Sequence, residues 1–334
     1  MTHSEVHDEL RSVASDLLSK DDADVDWPLL IRAGWIGLEV PEEFGGAGVT
    51  FAEVAIILDE MGRAATRSAY LGGAVLSVGT LAALQPGTSR NALLADTAAG
   101  TVRAAVVLDG IGLAGDRLSG HAAFVPDAEG ADRVLVIADD PDGVPVVVEA
   151  DGLTVTAHPV LDETRSLAEV TAEDATVKEI WRFDGDPAEQ VCRLCDRAAV
   201  AMACDSLGVA EAMLTATVDY AKVRQQFGRP IGSFQAVKHA CADMLVQVSV
   251  ARRLVDAAVE ALADGGDARA AASMAKSYAC AAAVDVAGKA MQLHGGIGYT
   301  WESGIHVYLK RALLNRSLFG SPAEHRRQLA KRYS

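Results

Sequence analysis

Two short segments of the sequence contain the residue types that bind anionic dinucleotides. The first, residues 220–239, joins two long alanine-rich stretches and places Arg224 and Arg229 beside a turn that contains Gly228 and Pro230. A guanidinium group can donate two parallel hydrogen bonds to a phosphate, and the N-terminus of the next helix attracts anions. The segment therefore favours a pyrophosphate site, although a helix–loop–helix connection with solvated arginines fits the same pattern.

The second segment, residues 292–302, follows another helical stretch and contains Gly295, Gly296 and Gly298. Glycine lets the backbone come close to a ligand, so the N–H groups here could also hold an anion. A simple helix end followed by a loop is the alternative. The glycines do not follow a strand in the G-x-G-x-x-G pattern, so a Rossmann-type nucleotide site is not indicated.

The cysteines and histidines predict no metal site and no disulfide framework. The five cysteines are odd in number, and all lie in helical pattern, which predicts buried thiols. The remaining candidate ligands are isolated histidines and an acidic turn at residues 139–142. The residues considered are Cys192, Cys195, Cys204, Cys241, Cys280, His121, His158 and His306.

Composition excludes several classes of protein. The chain has 334 residues, of which 50% are hydrophobic and 23% charged, as in ordinary globular proteins. Its net charge of −16 argues against a nucleic-acid partner. The polar N-terminus does not resemble a signal peptide, and no uncharged apolar run is long enough for a membrane span. A cytoplasmic location is expected.

The pattern of apolar residues changes twice along the chain. Residues 1–100 have helical periodicity, with helix-start signals at Asp26 and at Thr50 with Glu53. Residues 101–185 contain short Val- and Ile-rich runs separated by glycine turns, which predict a small antiparallel β domain. Residues 186–334 return to long amphipathic helical stretches. The predicted fold class is therefore α+β, mostly α, with an N-terminal helical domain, a central β domain and a C-terminal helical bundle.

The two candidate dinucleotide segments, residues 220–239 and 292–302, resemble at this separation the C-terminal domain of acyl-CoA dehydrogenases. Residues 27–48 and 60–63 also resemble the N-terminal part of that family, and residues 161–165 resemble an Asp-x-Thr-Arg element in its middle. The resemblance covers nearly the whole chain in the expected order. It implies an N-terminal α-helical domain, a small central β-barrel-like domain and a C-terminal four-helix bundle.

The resemblance also implies FAD, an acyl-CoA substrate, and an electron acceptor such as an electron-transfer flavoprotein. A single subunit of this family does not complete a flavin site, so an oligomer is implied. Two sets of positions match those that contact FAD in the family. The first set contacts FAD across the subunit interface, and the second contacts the pyrophosphate–ribose portion of FAD from the opposite side. They are Arg224, Gln226, Phe227 and Gln235 for the first set, and Gln292, Gly295 and Gly296 for the second.

The sequence departs from the family where the reaction begins. The family places its catalytic glutamate at one of two positions, and these fall on Phe319 and Ala198, neither of which can accept a proton. Asp196 and Asp205 lie on the same predicted helix as Ala198 but point in other directions. The loop that holds the flavin ring in the family is abbreviated here to residues 107–113. No catalytic residue is therefore assigned.

Three functions remain open at this stage. The chain resembles the short subunit of α2β2 acyl-CoA dehydrogenases that act on steroid side-chain thioesters, in which a longer dehydrogenase subunit would carry the base. Alternatively, it is a self-sufficient homo-oligomer with a displaced base such as Glu302, or a non-enzymatic homologue that binds an acyl thioester or a protein. Lys310 and Arg311 are expected at an interface or in solvent.

Overall fold

The computed structural model describes residues 3–19 and 24–332, which form two compact units. The first, here called the bundle unit, comprises the described residues of 1–23, 55–66 and 199–334. The second, the sheet unit, comprises residues 24–54 and 67–198. The three sequence-based domains, with boundaries near residues 100 and 185, stay a prediction.

Helices come first and last along the described chain, and strands lie between them, as expected from the apolar periodicity. The helices are α1 (His3–Leu18), α2 (Trp27–Arg32), α3 (Phe51–Arg63), α4 (Ser77–Ala82), α5 (Thr88–Ala98), α6 (Pro187–Val223), α7 (Gln235–Ala263), α8 (Arg269–His294), α9 (Ile305–Ser317) and α10 (Pro322–Arg332). The strands are β1 (Ala104–Val107), β2 (Ile111–Ala114), β3 (Arg117–Pro126), β4 (Arg133–Asp139), β5 (Pro145–Ala157), β6 (Leu167–Arg182), β7 (Gln225–Gln226) and β8 (Arg229–Pro230).

Both helix-start signals are confirmed by their hydrogen bonds. The Asp26 carboxylate accepts a hydrogen bond from the Leu29 N–H at 2.8 Å and so caps α2. The Glu53 carboxylate accepts the Thr50 N–H at 3.0 Å, and the Thr50 hydroxyl accepts the Ala52 N–H at 3.2 Å. The helical periodicity also predicts a helix over residues 68–84, but there the chain forms a π-helical turn, Leu71–Leu76, before α4.

The sheet unit contains six strands in the order β1-β4-β5-β6-β3-β2. The prediction of a purely antiparallel sheet is wrong at one place, because β1 pairs with β4 in parallel. A hairpin cannot join these two strands; the chain runs through β2 and β3 before it returns beside β1. Two of the short Val- and Ile-rich runs, around residues 146–148 and 153–156, lie in one long strand, β5, with register shifts near Ala150. Buried Val, Ala, Ile and Leu side chains from all six strands form the core.

The bundle unit is built on α6, and glycines set how closely α3 approaches it. A Cβ atom on Gly62 would lie 2.0 Å from the Asp205 carbonyl oxygen, and one on Gly208 would lie 1.9 Å from that of Asp59. Because neither position has room for a side chain, α3 and α6 touch backbone to backbone. By length and composition α6 could span a membrane, but 78% of its apolar window is buried inside the protein, as in the core helix of a globular fold.

The thiol prediction is confirmed in part. None of the five cysteines, all within the described residues, forms a disulfide; all lie on helices, and Cys204 and Cys280 are buried. Cys195 is exposed, because it falls on the outer side of α6, so the expectation that every thiol is buried is wrong there. Among the described residues, no group of three or more His, Cys, Asp or Glu side chains could hold a metal ion.

Candidate functional site

The two glycine-containing segments lie at the same end of the bundle unit. Helix α6 ends one residue before Arg224, and α8 ends one residue before Gly295. The Tyr220 ring stacks on the His294 ring with centroids 4.3 Å apart, and the Tyr220 hydroxyl donates to the His294 carbonyl oxygen at 3.3 Å. This contact fixes the two helix ends side by side. Tyr220 and His294 lie within the two segments singled out from the sequence, but the sequence did not indicate that they join them.

The first segment folds as a tight hairpin. Strands β7 and β8 pair Gln226 with Arg229, which leaves Phe227 and Gly228 as the two turn residues, with φ of 54° and 76°. Positive φ at both positions is the requirement of a type I′ hairpin turn, and a phenylalanine rarely adopts it. The Phe227 ring is 90% exposed. Strained, exposed side chains of this kind cluster at ligand clamps.

The polar groups of this segment face solvent. Gln226 and Arg224 are exposed, and the Arg229 guanidinium lies over the Phe234 ring at 4.2 Å. The N-cap residue of α7 is Phe234, whose side chain has no acceptor atom, so the first N–H groups of α7, beginning at the exposed Gln235, stay available to an anion.

The second segment offers backbone rather than side chains. Gln292 is exposed in the last turn of α8, and Gly295 follows it with φ of 64°. A Cβ atom built on Gly295 or Gly296 would meet nothing within 4 Å, so a ligand can approach this backbone closely. Tyr299 and Trp301, both exposed, extend the surface beyond the glycines. Guanidinium groups, amides, open N–H groups and exposed rings are the donor set that a dinucleotide such as FAD requires, so the residues fit that cofactor.

Neither of the two base positions carries a carboxylate. Ala198 is fully buried in α6, and Phe319 follows α9 with φ of 54°. Glu302 lies exposed in a short 3-10 turn after the glycines. Asp205, considered from the sequence, is buried in α6, and its carboxylate already accepts three strong hydrogen bonds.

Those bonds come from Arg311 and Asn315 on α9. Arg311 donates Nε to Asp205 Oδ1 at 2.9 Å and Nη2 to Oδ2 at 2.6 Å, and Asn315 Nδ2 donates to Oδ1 at 2.6 Å. Arg311 is only 1% exposed, so its expected place at an interface or in solvent is wrong. Asp205 is the residue in the sequence that could have indicated a buried arginine, because a carboxylate in the middle of an alanine-rich helix needs a buried cation.

A histidine holds the loop that contains Phe319. The Phe319 carbonyl oxygen lies 3.0 Å from His325 Nε2, and the Ser273 hydroxyl lies 3.2 Å from Nδ1. Because a carbonyl only accepts, Nε2 carries the proton of the neutral ring and donates it to Phe319. Burial lowers the pKa of His325, which favours this neutral ring. Gly320 has φ of 93°, and a Cβ there would lie 2.9 Å from Nε2, so only glycine fits.

In the sheet unit two histidines that the sequence left isolated share one carboxylate. His158 Nδ1 lies 2.8 Å from Glu169 Oε1, and His121 Nε2 lies 3.5 Å from Oε2. The hydrogen bonds from His158 and His121 hold the pKa of Glu169 below its usual value. The half-exposed Phe124 ring, on a bulge with φ of 58°, packs edge-on against His158 at 4.4 Å. The expectation of isolated histidines is wrong for this pair, because β3, β5 and β6 bring distant residues together.

The abbreviated loop predicted for residues 107–113 is tight in the structure. β1 ends at Val107 and β2 begins at Ile111, so three residues connect them. Gly110 in this connection has φ of 90°. A connection of three residues is too short to form the longer flavin-ring loop that the family resemblance implies.

Comparison with known proteins decides the family. Residues 1–101 match the family described as "Acyl-CoA dehydrogenase, N-terminal domain", and residues 191–334 match "Acyl-CoA dehydrogenase, C-terminal domain". The chain is 37% identical over 312 residues to the acyl-CoA dehydrogenase IpdE2 of Mycobacterium tuberculosis, covering 91% of this chain and 85% of that protein. This chain belongs to the acyl-CoA dehydrogenase family. The predicted resemblance is thereby confirmed.

Solved structures of acyl-CoA dehydrogenases agree with the predicted fold class. A structure described as the Tcur3481-Tcur3483 steroid ACAD, G363A variant, superposes with a TM-score of 0.87 at 28% identity, covering 99% of this chain and 98% of that one. Butyryl-CoA dehydrogenase from Megasphaera elsdenii superposes with a TM-score of 0.88 at 21% identity, covering 100% and 99%. The predicted fold class is therefore confirmed. The membership also confirms two further predictions: that the protein is a flavoprotein oxidoreductase of acyl-CoA thioesters, and that the family's cofactor is FAD.

Proposed function

We propose that this chain is the short subunit of a hetero-oligomeric acyl-CoA dehydrogenase. In this proposal it supplies one half of an FAD site, and a longer subunit of the same family supplies the catalytic carboxylate and the groups that hold the flavin ring. The observation that carries the proposal is the contrast between an exposed, well-formed dinucleotide surface at Arg224 and Gly295 and the hydrocarbon side chains at both base positions, Ala198 and Phe319.

The relatives support a two-component enzyme and a substrate class. The steroid ACAD that superposes on this chain is described by two component names, Tcur3481 and Tcur3483. Dehydrogenation of a steroid-derived acyl-CoA in the cytoplasm, with an electron-transfer flavoprotein as acceptor, is the corresponding proposal for this chain.

Within this proposal each group of the bundle end has a physical role. When bound, FAD accepts the hydride that leaves the β carbon of the thioester. Arg224 binds the pyrophosphate by charge-assisted hydrogen bonds, and the open N–H groups at Gln235 and Gly295 add to them. The Phe227 ring packs against a flat ring of the cofactor and excludes water. Gln226 and Gln292 orient the dinucleotide through their amides. These residues bind and position, and none transfers a proton.

Expression of the chain alone and together with a longer acyl-CoA dehydrogenase subunit tests the proposal. We expect flavin reduction by a steroid-derived acyl-CoA only in the co-expressed sample, because only that sample contains a carboxylate able to remove the α proton. The readout is bleaching of the flavin absorbance on addition of substrate. An active yellow enzyme from this chain alone would contradict the proposal.

The self-sufficient alternative depends on Glu302 and has its own control. If Glu302 were the base, Glu302→Gln would abolish flavin reduction. We expect the variant to keep its activity in the co-expressed enzyme, because in this proposal the longer subunit supplies the carboxylate that removes the α proton. If no sample contains flavin, the non-enzymatic alternative gains support instead.

A further inference from the structure

Trp301 is an exposed tryptophan whose orientation is fixed by two side chains of α9. Its side chain is 74% exposed, in the short 3-10 turn that follows the glycines of the second segment. The His306 ring packs edge-on against the indole with centroids 4.4 Å apart, and the Lys310 ammonium lies over the indole, 5.1 Å from its centroid. Residues four apart on a helix lie on the same side of it, so both contacts come from one side of α9. They orient the indole and still leave most of it in solvent.

An exposed aromatic ring that is held in place is suited to stack on another flat ring. Tyr299, two residues earlier, is 71% exposed, but among the described residues no ring or cation contact holds it. A ring that is already oriented loses little conformational entropy when a ligand stacks on it. Of the two exposed rings, Trp301 is therefore the one prepared to bind a ligand.

The place of Trp301 in its segment indicates which ring it meets. Gly295 and Gly296 present open backbone to a phosphate, and Trp301 follows Gly296 by five residues that lie mostly in 3-10 turns. At about 2 Å per residue, that is on the order of 10 Å of chain. In a dinucleotide a single ribose separates the adenine from the pyrophosphate, which is a span of the same order.

The first segment has the same arrangement of groups. There the exposed Phe227 ring follows the exposed Arg224 by three residues. Each segment thus combines groups that bind an anion with one exposed ring farther along the chain. A dinucleotide has the matching pattern, because a flat ring system lies at either end of its pyrophosphate.

We propose that Trp301 stacks on the adenine ring of FAD and makes the site selective for FAD over FMN. The inference rests on the proposed function, in which the longer subunit holds the flavin ring, so that adenine is the ring left to the second segment of this chain. Lys310 is a positioning residue, because it acts on the adenine only through the indole that it holds.

Titration of the flavin-free, co-expressed enzyme with FAD and with FMN tests the proposal. Trp301→Ala should raise the dissociation constant of FAD by roughly 5- to 150-fold, the range expected for the loss of one base–aromatic stack. It should leave the dissociation constant of FMN unchanged, because FMN has no adenine. Trp301→Phe should restore most of the FAD affinity, since it keeps an aromatic ring. Leu313→Ala, at a half-exposed leucine of α9, is the control and should change neither constant.

Tryptophan fluorescence gives a second readout that a purely structural role would not change. Trp301 is the most exposed of the four tryptophans, and Trp35 and Trp181 are buried. ADP, which has adenine and pyrophosphate but no flavin, should quench the Trp301 emission in the flavin-free enzyme, and Trp301→Phe should abolish the quenching while ADP still binds. Lys310→Met should weaken ADP binding less than Trp301→Ala does. Lys310→Arg should restore it, since a guanidinium also binds over an indole.

Two results would overturn the proposal. One is an unchanged FAD affinity in Trp301→Ala, and the other is an equal loss of FAD and FMN affinity, which would assign the indole to the flavin ring or to the fold. Thermal unfolding of each variant checks that it is folded.

The same samples keep this inference distinct from the proposed function. If the chain alone were active, the hetero-oligomer proposal would fail, and the comparison of FAD with FMN would be made on that chain. If no sample bound flavin, the proposed function would fail, and quenching by ADP would still decide the role of Trp301.

Discussion

The Phe227 ring lies on a hairpin turn, three residues after Arg224, whose backbone conformation is unfavourable for phenylalanine. A left-handed conformation for a bulky residue costs of order 1–3 kcal/mol, so the turn persists because the hairpin hydrogen bonds and the Phe234 contact hold it. The Ile231 N–H donates to the Arg224 carbonyl oxygen at 2.8 Å and closes the loop. The conformation directs the ring outward, where a cofactor can meet it.

Arg224→Ala should weaken FAD binding in the co-expressed enzyme by roughly 10- to 150-fold. This range corresponds to the loss of about 1.5–3 kcal/mol for a hydrogen bond to a charged group. Fluorescence titration of the flavin-free enzyme measures it. Lys222→Ala is the matched control, because Lys222 is an exposed cation two residues earlier that already pairs with Asp219 at 2.8 Å. Equal losses in both variants would contradict a specific role for Arg224.

His325 gives the fold a pH dependence of known sign. Its pKa is lowered by burial from the ordinary value of 6.5, so the unfolded chain takes up a proton at a higher pH than the folded one. The contribution to stability is therefore complete above about pH 6.5, and it is lost as the pH falls through the window between 6.5 and the lower folded pKa. The unfolding midpoint measured from pH 7.5 to 5 should fall less steeply for His325→Gln than for wild type. Identical slopes would contradict the assignment.

At the scale of elements, the buried pair of Asp205 and Arg311 joins α6 to α9. Arg311 also donates to the Thr66 carbonyl oxygen at 2.9 Å, just beyond the end of α3. One guanidinium therefore ties together three segments of the bundle unit. A second cluster of charged residues lies in the bundle unit, where Arg63 and Arg252 both bind Glu211. Burial alone would raise the pKa of the Glu211 carboxyl, but the two guanidinium groups outweigh it and hold that pKa below its usual value.

Arg311→Met should lower the free energy of unfolding by about 3–5 kcal/mol, because it leaves the Asp205 carboxylate buried without its cation. Urea denaturation followed by circular dichroism measures the loss. Asp205→Asn combined with Arg311→Met should recover part of it, since the uncompensated charge is then removed. Arg193→Met is the control on an exposed arginine of α6, where the expected change is about 0–1 kcal/mol. A small effect of Arg311→Met would contradict the structural role.

Local signals in the sequence were enough to predict the elements, but not all of their partners. Asp26, Thr50 and the breaks around residues 224–234 gave helix ends that the structure confirms, because capping and chain reversal depend on neighbouring residues. The parallel pairing of β1 with β4, the sharing of Glu169 by His121 and His158, and the burial of Arg311 each depend on residues far apart in the sequence. No periodicity contains that information.

In the candidate site too, the sequence predicted the residues of each segment but not how the two segments lie together. Arg224, Gln226, Phe227 and Gln235 were found because they lie in one segment, and Gln292, Gly295 and Gly296 because they lie in another. That both segments lie at one end of the bundle unit, fixed by Tyr220 and His294, required the structure. The contacts of all these residues with FAD remain a proposal.

At the scale of the whole molecule, the number of chains that make one active site follows from what this chain has and what it lacks. The chain has exposed guanidinium and amide groups at one end of the bundle unit, and the two positions compared with the family's base carry Ala198 and Phe319, which cannot accept a proton. In the proposed enzyme, the exposed end of the bundle unit at Arg224 faces the longer subunit.

The ratio of FAD to protein in the co-purified enzyme tests this account most directly. Flavin absorbance after release from the protein gives the amount of FAD, and quantified subunit bands give the amount of each chain. The account predicts equal amounts of the two subunits and one FAD for every two chains. One FAD for every chain, or a full complement of FAD in this chain purified alone, would contradict it.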